Sequence, residues 1–318
     1  MKIRKLSVDG FRGLPDREFS LIDPRSDAAF SLVLVTGPRA SGKTSFLDAI
    51  IAAKEQVGPY GPEQPASSLV RLDATAAKVR VDWELSNAER ERFGIGKRSL
   101  LSESIFGGSV MPPPTPDPAL EALLSTYDPD PTLGKVEYFH AARRLALGTT
   151  IDLSRTAGDA FDRMTRLGRD DIKYAPLLRF IVEAGLGLDV NADGTPKAPG
   201  RVSAAFEALC PTKRIAGLYR SGDAMLPAFL DAQNRAYSLA QLSDSEIDAL
   251  LFAATFVRAG VNESLVLIDT PEKHLGGGDA RELVLALTRL GHDNQLIVAT
   301  RSEPLLASVH SDQVIRLG

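Results

Sequence analysis

Residues 37–44 read Gly-Pro-Arg-Ala-Ser-Gly-Lys-Thr and satisfy every fixed position of the pattern G-x-x-x-x-G-K-[ST]. This stretch constrains the fold because it works only between a strand and a helix. Ahead of it runs Leu32-Val33-Leu34-Val35, short, apolar and β-branched, which predicts a buried parallel strand; after it Ser45-Phe46-Leu47-Asp48-Ala49-Ile50-Ile51 predicts a helix. The glycines let the backbone curl so that several N–H groups point into one concavity, and the helix start adds its positive dipole end. Gly37, Pro38, Arg39, Ala40, Ser41, Gly42, Lys43, Thr44 and Ser45 are therefore the candidate phosphate cradle. Lys43 is placed to reach β- and γ-phosphates, and Thr44 offers a hydroxyl to Mg²⁺, so ATP and Mg²⁺ are the expected cofactors. Arg39, at the loop tip, either touches phosphate or faces solvent.

A chain of 318 residues holds one large α/β domain with an insertion or two smaller domains. The formal net charge of −4 supplies no global basic field, so contact with DNA or a membrane surface has to be local. One cysteine, Cys210, excludes an intrachain disulfide framework and suits a reducing compartment; it reads as a small buried hydrophobe. Met1–Leu6 lacks the apolar run of a signal peptide and no segment has the apolar length of a membrane span, which leads to the expectation of a soluble, cytoplasmic protein with no membrane partner.

Residues 2–8 and 17–21 alternate as strands around the turn Gly10-Phe11-Arg12-Gly13. Lys78–Leu85 alternates again, residues 107–118 with five prolines form a connector, and Val136–His140 reads as a strand returning to the core. From Ser154 to Ala184 the pattern is helical, with Arg155, Arg163, Arg166, Arg169, Lys173 and Arg179 interspersed with Asp159, Asp162, Asp170 and Asp171; mixed signs of this kind predict a solvated face. Asp189–Gly194 starts like a calcium loop but has Gly200 at the twelfth position, so a hairpin turn is favoured.

Ser264-Leu265-Val266-Leu267-Ile268-Asp269 is an apolar run ending in a carboxylate, the form of a Walker B strand that delivers Asp269 to the sheet edge beside Thr44 and the metal. Before it, Leu242-Ser243-Asp244-Ser245-Glu246 leads into a helix with Ile247, Leu250, Leu251, Ala254 and Val257 on one face. Ser243 and Glu246 make at least a capping box, S-x-x-E.

Four motifs in order carry a resemblance. The opening up to Gly10-Phe11-Arg12-Gly13 resembles the start of the ATP-binding heads of the SMC, RecF and OLD class, and Leu242–Glu246 resembles the L-S-G-G-E signature of ABC-type ATPases. Asp269-Thr270-Pro271-Glu272-Lys273-His274-Leu275 resembles the D-E-P-E-x-H-L-H segment of the RecF and OLD branches, and Gln295–Ser302 their T-H-S switch strand. The resemblance covers both ends of the chain and none of residues 90–235. It implies an α/β P-loop NTPase fold with an ABC-ATPase-like mixed sheet and an inserted helical lobe: residues 1–90 as the first part of the head, 91–235 as the insertion, 236–318 as the second part. No heptads fill the insertion, so it is a compact lobe rather than a coiled-coil arm.

The resemblance further implies an ATP-dependent homodimer or a complex with an effector subunit, with Ser243 contacting γ-phosphate across the interface and Arg301 as sensor. A DNA-repair or phage-defence setting is implied in the same way. Departures from the family pattern point to slow hydrolysis. Thr270 stands where the water-activating glutamate belongs, and a positioned base is worth about 10²- to 10⁴-fold in rate. Glu272 is the candidate substitute, Arg301 replaces the switch histidine, and Asp244 and Ser245 replace both signature glycines. The catalytic candidates are thus Lys43, Asp269, Glu272 and Arg301, with Thr44 and Asp269 on the metal. The alternative is a head that keeps ATP bound without turnover, as a scaffold for a separate effector subunit.

Overall fold

The computed structural model describes residues 1–62, 64–108, 114–127, 132–145, 159–187, 200–222, 224–275 and 277–318. In chain order, β1 (Lys2–Asp9) and β2 (Arg17–Ser20) precede β3 (Leu32–Thr36), which runs through the glycine loop into α1 (Lys43–Val57). β4 (Ala76–Glu84), α2 (Asn87–Phe93), β5 (Ser99–Gly107), α3 (Pro118–Ser125) and β6 (Val136–Phe139) follow. Next come α4 (Asp159–Thr165), α5 (Ala175–Gly185), α6 (Arg201–Leu209) and the strands β7 (Lys213–Ser221), β8 (Ala224–Asp231) and β9 (Ala236–Ser238). The chain closes with α7 (Asp244–Ala259), β10 (Leu265–Asp269), α8 (Gly277–Leu287), β11 (Gln295–Ala299), α9 (Glu303–Leu306) and β12 (Val314–Arg316).

The strands form an antiparallel sheet β2-β1-β4-β5, a parallel sheet β12-β3-β11-β10-β6 and an antiparallel sheet β7-β8-β9. Parallel strands are covered on both faces, which is why β3, β10 and β11 are wholly buried. Their alternation divides the interior. Val33, Val35, Leu265, Leu267, Ile297 and Ala299 pack with α1 and the first antiparallel sheet, whereas Leu34, Val266, Ile268, Leu296 and Val298 pack with α5, α6 and α7. Because the five strands are parallel, the carboxyl ends of β3, β10, β11 and β6 share one edge, where ligands bind in open α/β sheets.

Residues 91–235, expected as an inserted, partly helical lobe, contain α3 to α6 and also supply β5 to the first antiparallel sheet, β6 to the parallel sheet, and β7 and β8, which pair with β9 in the third sheet. The basic helical stretch differs from expectation: Arg166 and Lys173 are buried, Arg166 beside the buried Glu137 of β6. Sequence reads mixed charge as solvated because the partner carboxylate is remote in the chain. Residues 154–158, 109–113 of the proline connector and the hairpin expected at 193–194 lie outside the described residues. Among the described residues no helix is long and apolar enough to cross a membrane, and Cys210 is buried and free.

Candidate functional site

The glycine loop is shaped by close packing as much as by backbone freedom. A Cβ on Gly37 would lie 2.2 Å from the carbonyl oxygen of Leu317, and Gly42 begins α1 in the left-handed region with φ 93°. Ala40, at φ 63°, takes a left-handed turn at the tip, where Pro38, Arg39 and Ala40 are exposed; Ser41, Lys43, Thr44 and Ser45 are half-buried. α1 has neither a side-chain cap nor an acidic residue in its first turn, so its positive end faces the loop uncompensated by side chains. The Lys43 ammonium donates to the carbonyls of Gly37 (2.9 Å) and Pro38 (2.7 Å). Burial lowers the Lys43 pKa and the Arg301 cation adds to that, while Asp269 and Glu272 oppose it. Lys43 thus sits within electrostatic reach of each of the other three.

The hydroxyl of Thr44 donates to Asp269 Oδ2 at 2.8 Å, joining residues that are 225 apart in sequence. Asp269 is almost wholly buried, and burial pushes its carboxyl above the ordinary value against hydrogen bonds from Thr44 and Thr270 and the charge of Arg169. This donor set fits magnesium: a neutral hydroxyl and a carboxylate are hard oxygens, and Mg²⁺ takes one or two carboxylates with phosphate and water for the rest. Among the described residues no group of three or more His, Cys, Asp or Glu side chains forms a protein-only metal cage.

Thr270 follows in the left-handed region, φ 52°, with its hydroxyl 3.1 Å from Asp269 Oδ1. Such a φ is an outlier for a β-branched residue. Glu272 accepts from the Thr300 hydroxyl (2.9 Å) and from the Arg301 backbone N–H (2.8 Å), so both carboxylate oxygens tie the turn after β10 to the end of β11. The Arg301 residue is exposed. Ser243 is exposed at the start of α7, where its hydroxyl accepts from Glu246 N–H in a capping box and lies 3.0 Å from Ser245 Oγ. Lys43, Thr44, Asp269, Glu272 and Arg301 are brought together at one sheet edge; Ser243 is set at the end of a neighbouring helix.

Two groups at this edge were missed in the sequence. Asp48, one helical turn beyond Thr44, is buried and accepts from Arg12 of the Gly10–Gly13 turn and from Arg169 at 2.5 and 2.6 Å. Its local signal is an acid on a helix that is otherwise apolar at that level. The second is Arg143, just past β6, for which no local signal exists.

No protein-family model and no curated protein matches the chain. Among solved structures it is similar to a crystal structure of an SMC head bound to the C-winged helix domain of ScpA, with a TM-score of 0.58 and 14% identity, covering 100% of this chain and 97% of that one. An SMC head domain from Thermotoga maritima aligns at a TM-score of 0.44 and 16% identity over 97% and 92% of the two chains; at that score it adds no argument. At these identities the likeness speaks to architecture. The chain therefore has the fold of an SMC head, the ABC-type P-loop α/β architecture that its four motifs resemble.

Proposed function

We propose that this chain is an ATP-binding head of ABC type that grips Mg-ATP between its glycine loop and Asp269, hydrolyses it slowly, and uses the bound nucleotide to govern pairing with a second copy or an effector subunit. The observation that carries the reading is the 2.8 Å contact between Thr44 and Asp269 beside Lys43. In this reading the N–H groups at the start of α1 and the Lys43 ammonium hold the phosphates, and Thr44 with Asp269 holds the metal. Magnesium, when bound, neutralises charge on the β- and γ-phosphate oxygens. Ser243, at the exposed end of α7, contacts the γ-phosphate of a second copy, and Arg301 reads the γ-phosphate as a mobile cation.

Slow turnover is supported by the absence of a carboxylate at 270 and by the engagement of both Glu272 oxygens. That same engagement favours a second reading, in which ATP is held without turnover as a scaffold cofactor. A protein partner is supported by the solved SMC head, which carries a winged-helix domain. DNA repair or phage defence is the setting proposed from the motif resemblance. Calorimetry with Mg-ATP tests the core claim: heat of binding that Lys43→Ala abolishes is expected, and no heat from the parent protein sinks it. Light scattering with and without Mg-ATP reports pairing, and unhydrolysed ATP retained through purification selects the scaffold reading.

A further inference from the structure

Arg143 is among the largest fully buried side chains of the protein, and the nucleotide site as described does not use it. Its Nη1 donates to the carbonyl of Asp269 at 3.1 Å and lies 3.4 Å from that of Thr270; Nη2 lies 3.5 Å from the Thr270 carbonyl and 3.4 Å from that of Pro271. The same Nη2 is 2.9 Å from Asp248 Oδ2 on α7, and the two side chains retain 0% and 3% of their exposure. One guanidinium therefore holds three successive carbonyls at the exit of β10 and one carboxylate on the helix that begins at Ser243. A planar fork of five donors can do this; a compact ammonium cannot. The ring of Phe252, one turn farther along α7, lies 5.1 Å from the guanidinium carbon.

α7 meets the same segment a second time. Asp244, one turn before Asp248, lies 3.6 Å from His274 Nδ1, but Asp244 is 85% exposed and the contact is loose. The inner, buried link is the stiff one. It acts on a segment with a reason to need holding, because Thr270 keeps a left-handed backbone that a β-branched residue adopts only where its surroundings impose it. Its N–H is fixed on Ala299 and its carbonyl lies beside Arg143.

Building on the nucleotide-site reading, we infer that Arg143 is a positioning residue that couples α7 to the metal-side carboxylate. Displacement of the serine end of α7 is passed through Asp248 and Arg143 to the backbone of residues 269–271, and so to the oxygens of Asp269. Packed interiors transmit such shifts because they have no slack to absorb them.

Two substitutions separate the links. Asp248→Asn leaves the guanidinium on the carbonyls and cuts its charge pair to α7; Arg143→Lys keeps a cation but cannot serve all these acceptors. Hydrogen exchange of the segment spanning 266–275 is measured on nucleotide-free protein, and a fluorescent ATP analogue is titrated with Mg²⁺ and, separately, in EDTA. Faster exchange across 269–275 is expected in both variants. The apparent Mg²⁺ constant weakens about tenfold, as for loss of an outer-shell partner, while nucleotide affinity in EDTA stays within about twofold. The double variant loses no more than the worse single one, since both act through one link. Unchanged exchange and Mg²⁺ constants, a parallel loss in EDTA, or additive losses in the double variant would each overturn the inference. If the parent binds nucleotide no better than Lys43→Ala, the functional reading fails instead, and the exchange measurement alone decides whether Arg143 positions the segment.

Discussion

Replacing Thr270 by glutamate tests the proposal that turnover is slow for want of a carboxylate at this one position. Thr270 adjoins Asp269, the proposed metal ligand, with its hydroxyl 3.1 Å from Oδ1 and its backbone at φ 52°. An unbranched side chain relieves part of a left-handed strain of about 1–3 kcal/mol. It forfeits a hydrogen bond to a carboxylate worth about 1.5–3 kcal/mol. The two nearly cancel, so the fold tolerates the change. A second carboxylate beside Asp269 adds repulsion of about 4 kcal/mol at 4 Å and an effective dielectric of 20, which a divalent cation offsets; nucleotide binding should therefore become more strictly Mg²⁺-dependent. The gain from a positioned base is about 10²- to 10⁴-fold, equivalent to about 2.7–5.4 kcal/mol off the barrier. Single-turnover phosphate release at saturating Mg-ATP reads it out, with Thr270→Gln as the isosteric control and Lys43→Ala as the background. Glutamate no faster than glutamine, or a parent protein already turning over at about 10 per second, refutes the reasoning.

Asp48→Asn should lower stability by about 3 kcal/mol in denaturant unfolding, the low end for a broken buried ion pair, because Arg169 is 52% exposed and can turn to water; a loss under about 1 kcal/mol would make both arginine contacts incidental. Since burial raises the Asp269 carboxyl above 3.8, Mg-ATP affinity should fall with acidification at a pH above that value, and Asp269→Asn should abolish this limb. Burial lowers the Lys54 ammonium to about 7, with Glu55 opposing, so between about pH 7 and 10.5 the unfolded chain binds the extra proton and stability rises with pH. The slope is at most about 1.4 kcal/mol per pH unit for this group. Urea midpoints from pH 7 to 9.5 should climb less steeply in Lys54→Met, and an identical slope in the two proteins contradicts the assignment.

What the sequence reveals follows the range of each interaction. β3, β10 and β11 are legible because double-sided burial demands uninterrupted apolar runs, and α7 announces its start through Ser243 and Glu246. β5 escaped notice although Leu100, Ser102, Ser104 and Phe106 alternate, because serines on the buried face weaken the period. Trp83 and Ala53 supply their polar partners. Glu272 reads locally as a spare base; only the adjacency of β10 and β11 brings it to Thr300. Arg143 illustrates the limit. Nothing in Ala142-Arg143-Arg144 distinguishes the arginine buried on carbonyl and carboxylate acceptors from its neighbour, and the distinction arises from β6 lying beside β10 with α7 packed against them.

The adjacency of β6 and β10 is accompanied by buried charge. On β6, Glu137 accepts from the Tyr127 hydroxyl at 2.7 Å and lies 3.2 Å from Arg166 Nε, with both charged side chains 2% exposed. Burial pushes the Glu137 carboxyl up while Arg166 opposes. Desolvation makes such a pair no better for stability than apolar residues of equal volume, which are often neutral or stabilising by about 1–4 kcal/mol. The expected use of the pair is to fix register. β6 pairs with β10 over only four residues, Val136 to Phe139, and a slip by one would turn Glu137 toward the apolar layer that holds Val136 and Tyr138. Glu137→Gln alone should therefore cost about 3 kcal/mol by stranding Arg166, whereas Glu137→Met with Arg166→Met should recover or exceed parental stability. The double variant should lose protection from hydrogen exchange along β6 despite an unfolding midpoint at or above that of the parent. A double variant as unstable as the single one refutes the energetic premise, and one with parental β6 protection refutes the register role.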